Sequence, residues 1–412
     1  MKIKPITIVG AGASGLISSI LIAREGIAVT LLEQNSKAAK KITASGNGRC
    51  NIGNTHPTVE HFHSDNISFI DSVLDGYSSR DIVDLFSSLG IEIIEGSDGK
   101  LFPMSLQASS VVEILLYEVS TLDIEIVYDS TLLSVSKQGG EFLLDTTQGD
   151  ISTKVLLLAT GSMASPQLGG SSRGVEIASS LGHTIVPPLP SLVQLCSDER
   201  WVSQVSGVKI DALVKLYANS ELISQKRGDI LFTNYGISGL AILDISRDVT
   251  RELATYSYCE LTIDIIPDYT KERFVTLLLK YVDNRSQKPI DIWLMGFIHK
   301  KLIPIIIKES KTKAKIVAQL NKKEVMKIVY SLKNLKLSIS ESRGFKGAEV
   351  ASGGVDTNEI DPITMESKIV KDLYFAGEII DVDGDRGGYN FHFAWVSAMR
   401  VAHQVGSIPL RR

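Results

Sequence analysis

The first part of the 412-residue chain sets short apolar runs beside stretches with helical spacing. Residues 6–9 form a β-branched apolar run that is continuous, as expected for a strand buried on both faces. A glycine-rich segment at residues 10–15 follows, and residues 16–25 then place apolar side chains at helical intervals until Gly26 ends the pattern. Residues 28–33 are a second apolar run. The pattern predicts a strand–helix–strand unit built on a parallel sheet.

Similar patterns predict the elements that come next. A run of strands is expected between residues 131 and 161, with Gly139 and Gly140 as a turn and residues 155–159 as a fully apolar last strand. Amphipathic periodicity predicts helices over residues 67–74, 79–89, 108–122 and 174–183.

Composition changes at three closely spaced prolines, which predict a rigid linker and a domain boundary: Pro187, Pro188 and Pro190. Beyond them, strand-like segments at residues 212–218, 221–225 and 258–265 precede lysine-rich helical stretches over residues 270–332. Glycine-rich sequence returns at residues 340–355, and residues 372–378, "DLYFAGE", supply another buried strand.

We therefore predict an α/β protein. A Rossmann-like domain with a parallel sheet, residues 1–188 and 338–412, is interrupted by an inserted α+β domain, residues 189–337, with a β-barrel-like part and helices.

The glycines at positions 10, 12 and 15 form G-x-G-x-x-G between the first strand and the first helix. Gly10 permits the tight turn, Gly12 lets the backbone approach a pyrophosphate, and Gly15 lets helix and strand pack closely. Glu33 ends the second strand 18 residues later, where an acid can accept hydrogen bonds from ribose hydroxyls. This context predicts a dinucleotide fold, although the fingerprint alone does not separate NAD from FAD.

Two further segments favour FAD. "LLLATGS" places a turn of small residues after a strand far from the first, and residues 373–395, "LYFAGEIIDVDGDRGGYNFHFAW", combine a strand end, acidic residues and a glycine pair before a predicted helix. Acids at such a turn can bind ribityl hydroxyls, and helix amides can stabilise negative charge on a reduced flavin. The polar, glycine-rich loop "KKITASGNGRCNIGN" at residues 40–54 is interpreted as wrapping the pyrophosphate and the flavin ring.

These segments resemble the HI0933-like flavoproteins, FAD-dependent oxidoreductases that include aminoacetone-oxidase-like and bile-acid-reductase-like proteins. The resemblance covers essentially the whole chain and is carried by "GAGASGL", "SGNGRCNIGN", "GDILFTNYGISGLAIL", "ASGGVDTNEI" and "YFAGEIIDVDGDRGGYNFHFAWVSA". It differs from the family pattern in places; His392, for example, stands where glutamine is common.

The resemblance implies a set of cofactor-binding residues from five parts of the chain. Those around the pyrophosphate and adenosine would be Gly10, Ala11, Gly12, Ala13, Ser14, Gly15, Glu33 and Gln34, with Leu132 and Leu133 at the adenine edge. Those around the pyrophosphate and flavin would be Lys41, Gly46, Asn47, Gly48, Arg49, Cys50, Asn51, Ala159, Thr160, Gly161, Gly377, Glu378, Asp385, Gly388, Tyr389, Asn390, Phe391 and Ala394.

Several side chains have competing interpretations. Arg49 could balance an anionic flavin, orient a carboxylate substrate, or brace its own loop. Cys50 could be a redox thiol, but no second cysteine lies nearby, which favours packing. His392 could donate a proton or hydrogen-bond within the cofactor's surroundings. His61 and His63 are expected to be surface residues, since no carboxylate or thiol stands at ligand spacing, and no metal is predicted.

Charge and cysteine content limit the class further. The formal net charge of −4 gives no support for a nucleic-acid or membrane partner, and a solvated face is expected for the local lysine cluster, Lys300, Lys301, Lys308, Lys311, Lys313 and Lys315. Three widely spaced cysteines indicate a reducing compartment. With no signal peptide and no run of membrane-spanning length, we expect a soluble cytoplasmic protein.

The sequence thus predicts an FAD-dependent oxidoreductase acting on a small molecule. Because one dinucleotide fingerprint is present, NAD(P)H as reductant would have to visit the flavin transiently. A flavin amine oxidase that uses oxygen, a tRNA-modification-like protein with a nucleic-acid partner, and a flavin-binding redox sensor stay open as alternatives. Substrate, catalytic acid or base and oligomeric state are not fixed by the sequence.

Overall fold

The computed structural model describes residues 3–284 and 286–408. The chain forms two compact units, the first made of Met1–Leu189 and Glu349–Arg412 and the second of Pro190–Ala348. The sequence predicts the inserted domain over residues 189–337. The second unit continues eleven residues further because two late strands pair within its own sheet.

The first unit begins with a sheet that alternates with helices. Its strands up to the insertion are β1 (Lys4–Val9), β2 (Val29–Leu32), β3 (Gly53–Asn54), β4 (Phe62–His63), β5 (Ile93–Glu95), β6 (Lys100–Pro103), β7 (Glu125–Val127), β8 (Leu132–Gln138), β9 (Glu141–Thr146), β10 (Ile151–Leu158) and β11 (Ile185–Ser191). Its helices here are α1 (Ala13–Arg24), α2 (Lys40–Ala44), α3 (Ile67–Leu74), α4 (Ser79–Ser88), α5 (Ala108–Thr121) and α6 (Arg173–Ser180).

The central sheet has the strand order β7-β2-β1-β10-β9-β8. β1 runs parallel to both β2 and β10, and its Ile6 and Ile8 are fully buried, as the continuous apolar run predicts. Gly139 and Gly140 both have positive φ and join β8 to β9 as a two-residue hairpin turn, which confirms that prediction.

The second unit is built on an antiparallel sheet flanked by helices. Its strands are β12 (Leu195–Cys196), β13 (Lys209–Ala218), β14 (Glu221–Phe232), β15 (Gly236–Ser238), β16 (Cys259–Asp264), β17 (Leu335–Ile339) and β18 (Glu341–Ser342). Its helices are α7 (Leu240–Ala254), α8 (Lys271–Asp283), α9 (Ile290–Leu294), α10 (Ile303–Ser310), α11 (Lys322–Lys333) and α12 (Gly344–Gly347).

The strand order β17-β16-β13-β14-β15-β12-β18 places β17 and β18 at opposite edges of this sheet. The two strands are nevertheless consecutive in the chain, separated by Ser340 alone, whose amide donates to the Cys196 carbonyl of β12 at 3.1 Å. The sheet must therefore curl until its edges meet, which gives the second unit a barrel-like part.

The chain then returns to the first unit through β19 (Val350–Val355), β20 (Leu373–Phe375), β21 (Asp383–Gly384) and α13 (Tyr389–Gly406). β20 lies parallel to the second half of β10, so the last segment of the chain completes the central sheet. Helix α13 packs along α1 and buries Trp395 fully.

Two sequence predictions are wrong in detail. The proline segment is no linker, because β11 extends through all three prolines and pairs with β19. Proline fits an extended strand whose second edge is unpaired, where its missing amide costs no hydrogen bond. The strand predicted over residues 221–225 continues to Phe232, because β13 supplies pairing partners as far as Leu231.

Candidate dinucleotide-binding site

The glycine turn, residues 10–15, joins β1 to α1. Its three glycines differ in how much space a side chain would find at each position. Gly10 has φ +106°, and a Cβ there would lie 2.4 Å from the Ala159 carbonyl oxygen. A Cβ on Gly15 would lie 1.8 Å from the Gly10 carbonyl oxygen. A Cβ on Gly12 would meet nothing within 4 Å. Gly10 and Gly15 are thus required by the fold, whereas Gly12 borders open space that a pyrophosphate can enter.

The amino terminus of α1 carries no side-chain cap. Its N-cap residue is Gly12, which has no side chain to accept hydrogen bonds from the first amides of the helix. The first turn also contains no acidic residue. The positive end of the helix dipole therefore faces the open space at Gly12, an arrangement suited to an anion.

Glu33 follows β2 and is 7% exposed. Its Oε2 accepts a hydrogen bond from the Ala11 amide at 3.0 Å, and its Oε1 accepts from the amide and side chain of Asn35 at 2.8 and 2.6 Å. The carboxylate is therefore held against the glycine turn. Asn35, which sequence reasoning missed, fixes its orientation.

Two more strand ends meet the glycine turn. Ala159, directly after β10, donates its amide to the Val9 carbonyl at 2.9 Å. After β20, the Ala376 carbonyl accepts from Ser14 Oγ at 3.2 Å, and a Cβ on Gly377 would lie 2.6 Å from that same hydroxyl. The ends of β1, β10 and β20 thus converge within contact distance, as the sequence-based interpretation of three separated glycine segments requires.

Glu378 joins three segments through its carboxylate. Oε2 accepts from Lys41 Nζ at 2.9 Å, while Oε1 accepts from Ser162 Oγ at 2.7 Å and from the Ala351 amide at 3.1 Å. Gly161 lies beside the carboxylate, since a Cβ there would be 4.0 Å from Oε2. No feature of the sequence pointed to this contact of Ser162.

The glycine-rich loop adopts left-handed backbone conformations at three consecutive residues, Gly46, Asn47 and Gly48, with φ of +56°, +55° and +81°. A positive φ is unusual for a residue other than glycine, such as Asn47. It indicates that the surroundings of the loop hold it in this shape. Arg49 is exposed, and its side chain forms no hydrogen bond or ion pair with the described residues. The interpretation that Arg49 braces its own loop therefore has no hydrogen bond or ion pair among the described residues to support it.

The same loop meets the start of α13. A Cβ on Gly388, the N-cap residue of α13, would lie 2.4 Å from the Gly53 carbonyl oxygen and 2.8 Å from Asn51 Oδ1. Asn51 Oδ1 is buried and has no hydrogen-bond partner among the described residues. As at α1, the N-cap glycine offers no side-chain cap to the first amides of the helix. This second uncapped helix start lies beside an unsatisfied amide oxygen, which fits a polar ligand.

His392 lies one turn into α13 and is fully buried. Neither ring nitrogen has a hydrogen-bond partner in the described structure, and a Cβ on Gly53 would lie 3.5 Å from Nδ1. Burial lowers the pKa of His392 to about 4, with the Asp81 carboxylate opposing the shift. His392 is therefore neutral at physiological pH.

His61 and His63, which were expected at the surface, are half-buried, and both meet a carboxylate that is distant in the sequence. His61 Nδ1 and His63 Nε2 lie 3.2 and 2.9 Å from the two carboxylate oxygens of Asp385, because β4 pairs with β21. His61 also stacks on Tyr389 with ring centroids 4.3 Å apart. Within residues 3–284 and 286–408, no group of three or more His, Cys, Asp or Glu side chains is arranged to hold a metal ion.

Cys50 is buried and has φ +58°. Burial raises the pKa of its thiol to about 11, and a hydrogen bond involving Ser45 opposes the shift only in part. The thiol is therefore protonated at neutral pH and is a poor nucleophile, which agrees with the interpretation of Cys50 as a packing residue.

The other predicted residues lie at the margins of this site. Gln34 Nε2 donates to the Gly169 carbonyl at 2.7 Å, and the Asn390 side chain bonds both the amide and the carbonyl of Gly384 at 2.8 Å. Phe391 stacks on Trp395 with centroids 5.3 Å apart. The Ala394 Cβ lies 3.8 Å from the position of a Cβ on Gly377.

The predicted adenine-edge pair begins β8. Leu132 is buried and Leu133 is 40% exposed. Two residues earlier, the Ser130 amide donates to the Glu33 carbonyl at 2.9 Å, which brings the start of β8 beside the end of β2.

The fold and this site define a Rossmann-type dinucleotide-binding protein. The chain belongs to a family described as HI0933-like protein Rossmann domain, whose model matches residues 4–404. It is 31% identical over 407 residues to a 3-dehydro-bile acid delta(4,6)-reductase of Clostridium scindens, covering 98% of this chain and 99% of that protein. It is 32% identical over 405 residues to a ribosomal RNA dihydrouridine synthase of Haemophilus influenzae, with 96% of each chain covered.

The fold also resembles the crystal structure of the 3-ketosteroid delta1-dehydrogenase of Sterolibacterium denitrificans. The TM-score is 0.52 at 9% identity, with 99% of this chain and 100% of that chain covered. This likeness bears on the fold alone, whereas the family match and the reductase relative show that the protein is an oxidoreductase of the Rossmann type. Across the part of the chain that the structure describes, we find no helix with the length and apolar character that a membrane crossing requires.

Proposed function

We propose that the protein is an FAD-dependent reductase that saturates a carbon–carbon double bond conjugated to a carbonyl group. The observation that carries the FAD assignment is the convergence of the ends of β1, β10 and β20 at the glycine turn. A Rossmann turn that binds only an ADP group does not require a further segment such as the end of β20. FAD is longer than its ADP half, and segments beyond the fingerprint are expected where a protein holds the flavin part as well.

The residues present fit this cofactor. The uncapped start of α1 and the open space at Gly12 would hold the pyrophosphate, and Glu33 would accept hydrogen bonds from the adenosine ribose. The uncapped start of α13 and Asn51 would face the flavin end. Bound FAD would supply the two-electron hydride chemistry, which no side chain of the protein can supply.

The side chains would contribute binding and charge. Arg49 presents an exposed guanidinium without a partner among the described residues, on the loop that adjoins Asn51. A guanidinium in this position would bind a carbonyl or carboxylate oxygen of the substrate and stabilise the negative charge that develops there when hydride adds to the conjugated carbon.

The reaction class is supported by what the two kinds of relatives have in common. One is named a delta(4,6)-reductase of a 3-dehydro bile acid, and the other is named a dihydrouridine synthase. Each name describes saturation of a carbon–carbon double bond, and in both compounds that bond is conjugated with a ring carbonyl. Hydride addition to such a bond and protonation of the neighbouring carbon complete a two-electron reduction.

NAD(P)H is the reductant that we propose. The chain has one dinucleotide fingerprint, at the glycine turn. A nicotinamide donor would therefore bind transiently, deliver its hydride and leave before the conjugated substrate enters.

The test begins with the purified protein, its visible spectrum and chromatography of the cofactor released by heat. We expect about one FAD per chain, anaerobic bleaching by NADH or NADPH, and recovery of the oxidised spectrum when a 4,6-dien-3-one steroid or a uridine-containing RNA is added. Gly12→Asp is the matched control, since it should fold and hold no FAD.

Folded protein that is colourless and binds no added FAD contradicts the proposal. Bleaching by amines, followed by reoxidation by oxygen with formation of peroxide, contradicts the reductase assignment and supports the oxidase.

A further inference from the structure

Helix α7 ends in a turn that places a tyrosine where glycine is usual. After the C-cap residue Thr255, the Tyr256 amide donates to the Leu253 carbonyl at 3.0 Å. The Ser257 amide donates to the Glu252 carbonyl at 3.1 Å. This is the Schellman pattern, in which the residue after the C-cap takes a left-handed conformation that favours glycine. Tyr256 has φ +61° and is 98% exposed. The folded chain therefore accepts backbone strain at a residue whose aromatic ring faces solvent.

Three more exposed side chains of the second unit extend this surface. Tyr258, Tyr330 and Met326 are 59%, 55% and 40% exposed. A hydrogen bond to Glu260 is the main reason that the pKa of Lys336 is raised, and the hydroxyls of both tyrosines lie near enough to its ammonium to raise the pKa further. Met326 precedes Tyr330 by one turn of α11. We call these side chains the tyrosine patch: Tyr256, Tyr258, Met326 and Tyr330.

The outward face of α11 places cations beside the tyrosine patch. Lys322, Lys323 and Lys327 are exposed, and within the described residues none of them forms an ion pair. Each stands three or four positions from Met326 or Tyr330, so these side chains share one face of the helix. We call the three lysines the basic rim. The patch is therefore bordered by positive charge that no acid of the described structure neutralises.

The net charge of the whole chain hides an unequal distribution. Pro190–Ala348 contain 25 basic and 17 acidic residues, a net charge of +8, whereas the rest of the chain contains 18 basic and 30 acidic residues, a net charge of −12. An anionic surface therefore attracts the second unit and repels the first. Because of this asymmetry, an anionic surface would bind the chain by its second unit.

We propose that the tyrosine patch and its basic rim dock the protein on an anionic lipid bilayer. Tyrosine rings are enriched at the level of lipid headgroups, and lysine reaches anionic headgroups with its long flexible side chain. Lysine is depleted in protein–protein interfaces. Arginine, whose planar fork suits it to nucleic-acid phosphates, is absent from the sequence of residues 286–342. Tyrosine combined with lysine alone therefore favours lipid, and such docking does not depend on the reaction that the protein performs.

The experiment measures co-sedimentation of the full-length protein with phosphatidylcholine vesicles that contain or lack phosphatidylserine, at several KCl concentrations. The first test variant is Tyr256→Gly, and Tyr117→Ala, at a tyrosine of α5 that is 67% exposed, is its matched control. The second test variant is Lys322, Lys323 and Lys327→Gln. Its matched control is Lys154, Lys271 and Lys371→Gln, which removes three exposed lysines outside the rim and changes the net charge equally. Circular dichroism verifies that all variants are folded.

We expect the wild type to bind vesicles with phosphatidylserine at least about tenfold more tightly than vesicles without it, and salt to weaken this binding. The lysine variant should lose at least about tenfold in affinity, and both controls should stay within about twofold of the wild type. Tyr256→Gly should bind about fivefold more weakly, because it loses the ring. The same change should raise the urea midpoint, because glycine relieves the left-handed backbone. A residue that only stabilised the fold would show the opposite change in the midpoint.

Equal binding to both kinds of vesicle, or equal weakening in a test variant and its control, overturns the inference. A lower urea midpoint in Tyr256→Gly overturns the role of the ring as an anchor. Retention on polyuridylate without vesicle binding overturns the inference in favour of a nucleic acid. A concentration-dependent dimer that Tyr256→Gly dissociates, again without vesicle binding, overturns it in favour of a second copy of the chain.

Discussion

Lys41 Nζ lies 2.9 Å from Glu378 Oε2, although 337 positions separate the two residues in the chain. The same carboxylate accepts from Ser162, so it joins the loops that follow β2, β10 and β20. Both members of the pair are partly buried, with 29% and 19% of their side chains exposed. The pair therefore holds together the segments that we assign to FAD binding.

Glu378→Gln and Lys41→Met should each weaken FAD binding to the apoprotein, because each change frees a loop that the ion pair restrains. In the double variant the loss should be smaller than the sum of the two, with a coupling of about 1 kcal/mol, as expected for a pair that is partly screened by solvent. Calorimetric titration of the apoproteins with FAD measures all four affinities. Strictly additive losses would show that the pair does not act as a unit.

Substitutions at Gly12 and at Gly15 should have different effects on the free energy of unfolding. Gly15→Ala forces a Cβ to within 1.8 Å of the Gly10 carbonyl oxygen and should lower the free energy of unfolding by more than about 2 kcal/mol. Gly12→Asp enters open space at an N-cap, so it should leave the apoprotein as stable or a few tenths of a kcal/mol more stable.

The carboxylate added in the Gly12→Asp variant should nevertheless prevent FAD binding, because it repels the pyrophosphate. Unfolding in urea and FAD titration, run on both variants, separate the two effects. A normal FAD affinity in Gly12→Asp would show that the cofactor lies elsewhere.

Arg49→Ala should leave stability unchanged within about 0.5 kcal/mol, because the side chain is exposed and forms no hydrogen bond or ion pair with the described residues. We expect FAD content to stay near that of the wild type and kcat/KM for the conjugated substrate to fall about 100-fold, the scale of losing one stabilising group at a developing charge. Arg49→Lys should recover part of the loss. An Arg49→Ala enzyme with full activity would remove the residue from the proposed mechanism.

The burial of His392 should make stability depend on pH. Its pKa is about 4 when folded and 6.5 when unfolded, so the unfolded chain binds the extra proton between these values. Stability is therefore full above pH 6.5 and is lost as the pH falls toward 4. The contribution of His392 amounts to about 2 kcal/mol between pH 7.5 and pH 5.

His392→Gln, which cannot titrate, should lose this part of the pH dependence. Urea unfolding of both proteins at pH 7.5 and pH 5 gives the difference directly. Parallel losses in the two proteins would mean that His392 is not the titrating group.

Cys50 should be inert at neutral pH, because a thiol with a pKa of about 11 supplies almost no thiolate. Iodoacetamide should label it in the native protein far more slowly than in denaturant, with mass spectrometry of the peptides as the readout. Cys50→Ala should keep FAD content and activity within about threefold. Rapid labelling at pH 7 would restore the redox-thiol interpretation.

Local spacing explains why part of this site could be predicted from the sequence. The glycine turn, Glu33 and the turn at Gly139 and Gly140 depend on neighbours within one or two elements, and each has the geometry that its residue types require. The family resemblance added the segments around Gly377 and Gly388.

Contacts between distant segments could not be predicted in the same way. Asp385 reaches His61 and His63 across more than 300 positions, and Ser162 reaches Glu378 across 216. The proline segment was predicted as a linker because its composition is typical of one. In the structure it is a strand, because it pairs with β19, which follows the whole insertion in the chain.

The position of β20 has a consequence for biosynthesis. Residues 156–158 of β10 find their parallel neighbour at residues 373–375, more than 200 positions later. While the ribosome is still making the insertion, β10 presents amides and carbonyls that have no partner on the side that β20 will occupy. At that stage the segments that would hold the flavin end of FAD have not yet been made. Cofactor loading must therefore be among the last events in the maturation of the chain, and truncation near the carboxyl terminus should leave an aggregation-prone apoprotein.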